Sequence, residues 1–76
     1  MHYVYILRLQ DGTYYTGFSS NLKQRVATHF KGFIVHTRTV KELMFYCAFK
    51  NKLKALEFEK YLKSSSGFAF RNKHLL

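Results

Sequence analysis

Tyr5 and Tyr15 flank the turn signal Gln10-Asp11-Gly12-Thr13, and a hairpin that sets such residues on neighbouring strands is a possible reactive centre. Arg25 and His29 follow, four residues apart, so a helix would carry a cation and an imidazole side by side on one face. Glu59 completes the set. It falls with Ala55, Phe58 and Leu62 at i, i+3, i+4 and i+7, which puts a carboxylate on the apolar face of a helix, whereas Glu57 points away. An unpaired charge is costly there, so Glu59 must meet a metal ion, Arg25 or its own i+4 neighbour Lys63. Each group also has a plain structural use. Tyrosines fill sheets, Arg25 can snorkel to solvent beside a satisfied half-buried His29, and Glu59 with Lys63 can be a surface pair.

The elements that must position these groups read as follows. Residues 2–9 and 13–18 form antiparallel strands joined by Asp-Gly, which tolerates the positive φ of a two-residue hairpin loop. Both faces of the first strand are largely apolar (Tyr3, Tyr5, Leu7 and Leu9 against Val4 and Ile6), which places it inside a sheet and leaves Tyr5 half-buried. Tyr15 and Gly17 share a face of the second strand, and a glycine there marks close approach of a backbone or ligand. Ser19-Ser20-Asn21 caps a helix over 21–31 with the stripe Leu22, Val26 and Phe30; His29 projects in line with Leu22, and Arg25 lies beside them.

Gly32 stops that helix, and residues 31–42 read as a basic loop in which His36, Thr37 and Arg38 could contact phosphates. The run Leu43-Met44-Phe45-Tyr46-Cys47-Ala48-Phe49 suits a buried third strand, with Cys47 as a small buried hydrophobe. Asn51 caps a second helix over 51–63. Ser64-Ser65-Ser66-Gly67 breaks it, and 68–76 reads as a short basic helix whose Phe68, Phe70, Leu75 and Leu76 cover the sheet edge.

Composition limits what such a centre can serve. The 76 residues are read as one domain, 1–76, at a size where a core is only just sufficient, and 18% aromatic content offsets that. One cysteine allows no internal disulfide and no Cys/His cluster has zinc spacing, which fits a reducing, cytoplasmic setting. Neither a leader nor a long apolar run is present, so no membrane is expected. Lys and Arg number 13 against 4 acids, for a net charge of +9, and they are spread along the chain, Lys23, Lys31, Arg38 and Lys63 among them. That field calls for a polyanion met through phosphate contacts. The scarcity of acids argues against a two-metal site caged by several carboxylates.

In order along the chain, these pieces resemble the GIY-YIG endonuclease superfamily, in particular its small stand-alone bacterial members. Tyr3-Val4-Tyr5 is similar to the first signature, with Tyr3 in place of glycine, and Tyr15-Thr16-Gly17 to the second, within Asp11-Gly12-Thr13-Tyr14-Tyr15-Thr16-Gly17. Asn21-Leu22-Lys23-Gln24-Arg25 followed by His29 resembles the catalytic-arginine helix. Ala55-Leu56, Glu59-Lys60 and Leu62-Lys63 resemble the metal-binding helix. Phe18 stands where repair-nuclease relatives often place a lysine, which removes one cation near the scissile phosphate.

The resemblance implies an α+β domain of order β-β-α-β-α, a three-stranded antiparallel sheet flanked by helices with a short C-terminal helix. It implies cleavage of nucleic acid, with DNA the expected substrate and repair the expected setting. The catalytic residues would be Tyr5, Tyr15, Arg25 and His29, with Tyr3 and Gly17 as structural signature. Glu59 would be the sole protein ligand of a single Mg²⁺ or Mn²⁺ ion. In this scheme Tyr5 takes a proton from the attacking water, and Arg25 favours its phenolate. Tyr15 and His29 hold the water or a phosphate oxygen, Arg25 neutralises the phosphoryl oxygens, and the ion stabilises the leaving group. Lys23, Lys31, His36, Thr37, Arg38 and Lys63 are the expected nucleic-acid contacts, on a monomer or weak homodimer. A binding module that keeps the scaffold with little or no cleavage, recruited to repair or recombination, is the alternative.

Overall fold

The computed structural model describes residues 1–31 and 40–76, without the side chains of 30 and 31. Strands β1 (His2–Leu9), β2 (Tyr14–Ser19) and β3 (Val40–Phe49) form an antiparallel sheet of order β2-β1-β3. Helix α1 (Leu22–Lys31) lies between β2 and β3 in the chain; α2 (Lys52–Leu62) and α3 (Ser65–Phe70) follow, and α3 runs on into a π-helical segment, Arg71–Leu75. The architecture is α+β, and β1, apolar on both faces, is central as expected.

The hairpin turn is wider than the two-residue loop expected. Gly12 N donates to Leu9 O at 3.0 Å and Leu9 N to Thr13 O at 2.8 Å, so Gln10, Asp11 and Gly12 form a three-residue loop. Gly12 takes the left-handed position at φ 88°, the geometry of a turn closed by a bulge. Asp11 Oδ1 accepts from Thr13 N and Oγ1 at 3.0 and 2.6 Å, which ties the carboxylate to the turn.

Strand β3 begins at Val40, three residues before the expected start, because Leu9 pairs with Val40 and Arg8 with Glu42. Register shifts between Ile6 and Leu7 and between Arg8 and Leu9 break the alternation there, which is why Val40-Lys41-Glu42 looked like loop. Phe45 and Cys47 pack with Val4 and Ile6 on one face, while Leu43 packs with Tyr5, Leu7 and Leu9 on the other. His36, Thr37 and Arg38, expected in the loop, lie outside the described residues.

The two faces of β1 belong to two cores. Val4 and Ile6 meet Ala55, Phe58 and Leu62 of α2, and Tyr5, Leu7 and Leu9 meet Val40 and Leu22 of α1. Asn21 Oδ1 caps α1 by accepting from Gln24 N, and Asn51 Oδ1 caps α2 by accepting from Lys54 N, each at 3.2 Å.

The serine run is a corner and not an extended break. Ser64 Oγ accepts from Gly67 N, capping α3, and Gly67 sits against Leu62, where a Cβ would lie 2.7 Å from Leu62 Cα. Only glycine lets the helices turn that closely. Phe68 and Phe70 do not cover the sheet edge. Both are exposed, Phe68 against the Arg71 guanidinium and Phe70 against Tyr61 and His74, while Leu75 and Leu76 pack on the core. The corner points the short helix outward; its end returns. No helix among the described residues is long and apolar enough to cross a membrane.

Candidate active site

Tyr5 is the centre of the site and is deeper than expected, at 1% exposure instead of half-buried. Its pairing partner across the hairpin is Gly17, and a Cβ on Gly17 would lie 2.5 Å from Tyr5 Cζ and 2.9 Å from Tyr15 Cε2. The bare glycine is what lets the phenol lie across β2. Tyr15 stands two residues from Gly17 on the same face, and α1 brings His29 over both rings. Ring centroids are 6.3 Å apart for Tyr5 and Tyr15, 5.9 Å for Tyr5 and His29, and 5.6 Å for Tyr15 and His29.

Tyr5 Oη lies 3.0 Å from His29 Nε2. Burial pushes the Tyr5 pKa up to about 12, the charges of Tyr15 and Glu59 add to the rise, and the Arg25 guanidinium opposes it. Burial, then the charge of Arg25, hold His29 below its ordinary 6.5. The phenol therefore keeps its proton while the imidazole is neutral, and the hydroxyl donates to Nε2. The expectation that Arg25 favours the Tyr5 phenolate holds in direction, but the phenolate is not the outcome. Arg25 does pull the phenol in that direction, but desolvation outweighs it.

Arg25 is exposed on α1, close enough for its charge to act on both Tyr5 and His29. It lines a polar recess of about 290 Å³ with Ser19, Ser20, Gln24 and Thr28. Gln24 and Thr28 were not singled out from the sequence; their spacing around Arg25 on one helix face is the signal that could have found them. Phe18 points away from this site. It stacks on His2 at 6.0 Å and packs on the α2 side of the sheet, so a lysine at that position would not face Tyr5 in this register.

Glu59 comes from α2, and its charge reaches Tyr5. Its side chain is 20% exposed, and Oε2 accepts from Lys63 Nζ at 3.2 Å. Of the three partners the apolar face allowed, the structure gives Lys63. Glu57 is exposed, as its position on the helix requires. No three His, Cys, Asp or Glu side chains converge on a cation site among the described residues. A metal here would have Glu59 as its protein ligand, completed by water and substrate oxygens. That donor set suits a hard cation, and the Lys63 ammonium marks the carboxylate as a place where positive charge is held.

Lys23 and Lys63 are exposed, as a phosphate contact requires, and the side chain of Lys31 lies outside the described residues. Cys47 is half-buried and burial raises its thiol pKa, in keeping with an unreactive side chain. Sequence reasoning missed Tyr46. Placed in a buried run, it is 56% exposed, pairs with Tyr5 and projects on the same face; an aromatic hydroxyl at an alternate position of an apolar strand was its signal.

The family model described as "GIY-YIG catalytic domain" matches residues 1–73. The chain is 41% identical over 69 residues to the UPF0213 protein in the ldhD 5′ region of Pediococcus acidilactici, a match covering 84% of this chain and 70% of that one. It is 40% identical over 68 residues to a UPF0213 protein of Natronomonas pharaonis, covering 86% and 80%. The solution NMR structure of a UPF0213 protein from Bacillus halodurans aligns with a TM-score of 0.59 at 31% identity, over 95% of this chain and 82% of that one. The chain therefore belongs to the GIY-YIG family, a nuclease family whose members bind nucleic acid and generally use divalent metals.

Proposed function

We propose that this chain is an endonuclease that hydrolyses phosphodiester bonds in DNA, with one divalent cation, Mg²⁺ or Mn²⁺, held at Glu59. The observation that carries the reading is the hydrogen bond between Tyr5 Oη and His29 Nε2. A phenol whose pKa is near 12 is a poor base when it acts alone. Joined to a neutral imidazole it becomes a relay: as the attacking water gives its proton to Tyr5 Oη, the hydroxyl proton passes to His29 Nε2. The water oxygen forms its bond to phosphorus while the bond to the departing 3′ oxygen breaks. His29 is the final acceptor, so phenolate need not be populated at rest.

Arg25 lies at the solvent side of the same cluster and presents a planar fork that can hold two phosphoryl oxygens. Tyr15, edge-on to His29, restrains the imidazole. A bound cation at Glu59 would supply Lewis-acid stabilisation of the charge on the leaving oxygen. A cation held there would compete with the Lys63 ammonium for the carboxylate, and Lys63 would then be free to contact phosphate.

Incubation with labelled duplexes, flaps, branched junctions and single strands, with and without Mg²⁺, tests the reading. Metal-dependent cleavage of at least one substrate is expected. Failure on all of them, with salt-dependent binding retained, would favour the binding module, a reading that the Lys63 ion pair on the candidate metal ligand also fits.

A further inference from the structure

The sheet face that carries Tyr5 has a second concavity on the other side of α1. Tyr3 of β1 and Tyr46 and Leu43 of β3 form its floor, Val26 of α1 forms its wall, and its volume is about 580 Å³. The lining is mainly apolar, yet Lys23 stands exposed at its edge. Ser20 and Asn21 line this groove and also the polar recess of Arg25. The two therefore join around the N-terminal end of α1.

We propose that this groove receives an unpaired nucleobase of the DNA strand whose phosphate Arg25 holds, stacked on the ring of Tyr46. The inference rests on the nuclease reading and extends it to a base subsite. Three features select this occupant. Tyr46 keeps 56% of its surface exposed beside an apolar hollow, an arrangement that offers a π-face to a planar ring. As the pairing partner of Tyr5, it stands one strand from the centre, with Cβ atoms about 4.5–5.5 Å apart by sheet geometry. Lys23 at the edge and the net charge of +9 favour a ligand that carries phosphates over an apolar peptide. Stacking is tolerant of base identity, so the subsite would select unpaired strands and not a particular sequence.

The test measures binding in chelator, so that no strand is cut, by anisotropy of a fluorescein-labelled single-stranded oligodeoxynucleotide. A matched series carries one abasic site stepped along the strand. Tyr46→Ala should weaken binding of the intact strand about 5- to 150-fold, the range reported for loss of one stacked base, and Tyr46→Phe should bind as wild type. One abasic position should weaken wild-type binding by the same factor and make it indifferent to Tyr46→Ala. Tyr46→Thr keeps strand propensity and should behave as the alanine variant if stacking, and not folding, is what was lost. Equal binding by wild type and Tyr46→Ala, with metal-dependent cleavage retained, overturns the groove and leaves the nuclease reading standing. Absence of both cleavage and salt-dependent binding in wild type overturns the nuclease reading and the groove with it.

Discussion

The phenol of Tyr5 occupies the space that a side chain at Gly17 would need. The hypothetical Cβ falls 2.5 Å from Tyr5 Cζ, on paired residues of β1 and β2, so the two positions are one steric unit. Gly17→Ala should therefore displace the phenol from His29. Overpacking of this kind costs about 1–3 kcal/mol, read as a lower midpoint in denaturant, and cleavage should fall with it. In the double variant with Tyr5→Phe the hydroxyl is gone and part of the clash is relieved, so the stability losses should sum to less than additive. Strict additivity would mean that the two residues do not share this space.

Tyr5→Phe alone separates chemistry from packing. It removes one hydroxyl and keeps the ring that fills the core with Leu7 and Leu9. The fold should lose at most about 1 kcal/mol, the usual net value of one hydrogen bond, and should still melt cooperatively. Cleavage should fall about 10²–10⁴-fold, the typical contribution of a group that moves a proton, with affinity for uncut strand unchanged. A variant that cleaves as wild type would pass the role of base to Tyr15 or His29.

Glu59 and Glu57 provide an internal control on α2. Glu59 is half-buried, paired with Lys63 and felt by Tyr5, whereas Glu57 is exposed. Glu59→Gln should remove metal-dependent cleavage, measured across a Mg²⁺ titration, and leave binding of uncut DNA intact or improved. Glu57→Gln should do neither. Loss of cleavage in both would place the metal elsewhere on the helix.

Much of this arrangement was legible in the sequence because it rests on local signals. Periodicity placed Glu59 on the apolar face of α2, the i, i+4 spacing put Arg25 beside His29, and the strand glycine marked Gly17 as a point of close approach. What was not legible depends on contacts between distant segments. The register shifts that bring Val40 into β3 are set by pairing with Leu9, and the outward turn of Phe68 by the contact of Gly67 with α2. The dominance of desolvation at Tyr5 was not legible for the same reason: sequence shows which charges are present, but not that Tyr5 is 1% exposed.

The last prediction concerns pH, because the relay requires opposite protonation states of its two members. Burial and Arg25 lower the His29 pKa, so its imidazole is neutral above the ordinary 6.5 and for some distance below it. Once protonated, Nε2 can no longer accept from Tyr5 or take up a proton during attack. The pH profile of kcat/KM, which reports groups of the free enzyme, should therefore be flat through neutral pH and fall only on the acid side of 6.5, with the midpoint checked by NMR titration of the His29 ring in the free protein. Stability should change in the same direction. A depressed histidine pKa contributes stability that is present above the unfolded value of 6.5 and is lost as pH falls through the folded value. Tyr5 sets the opposite limit. Its raised pKa contributes stability present below 10 and lost as pH climbs from 10 towards 12, visible as phenolate absorbance that appears late and together with unfolding. His29→Gln should lower the rate and remove the acid limb. An acid limb centred at or above 6.5, or one that survives in His29→Gln, would mean that the proton from Tyr5 goes to another group.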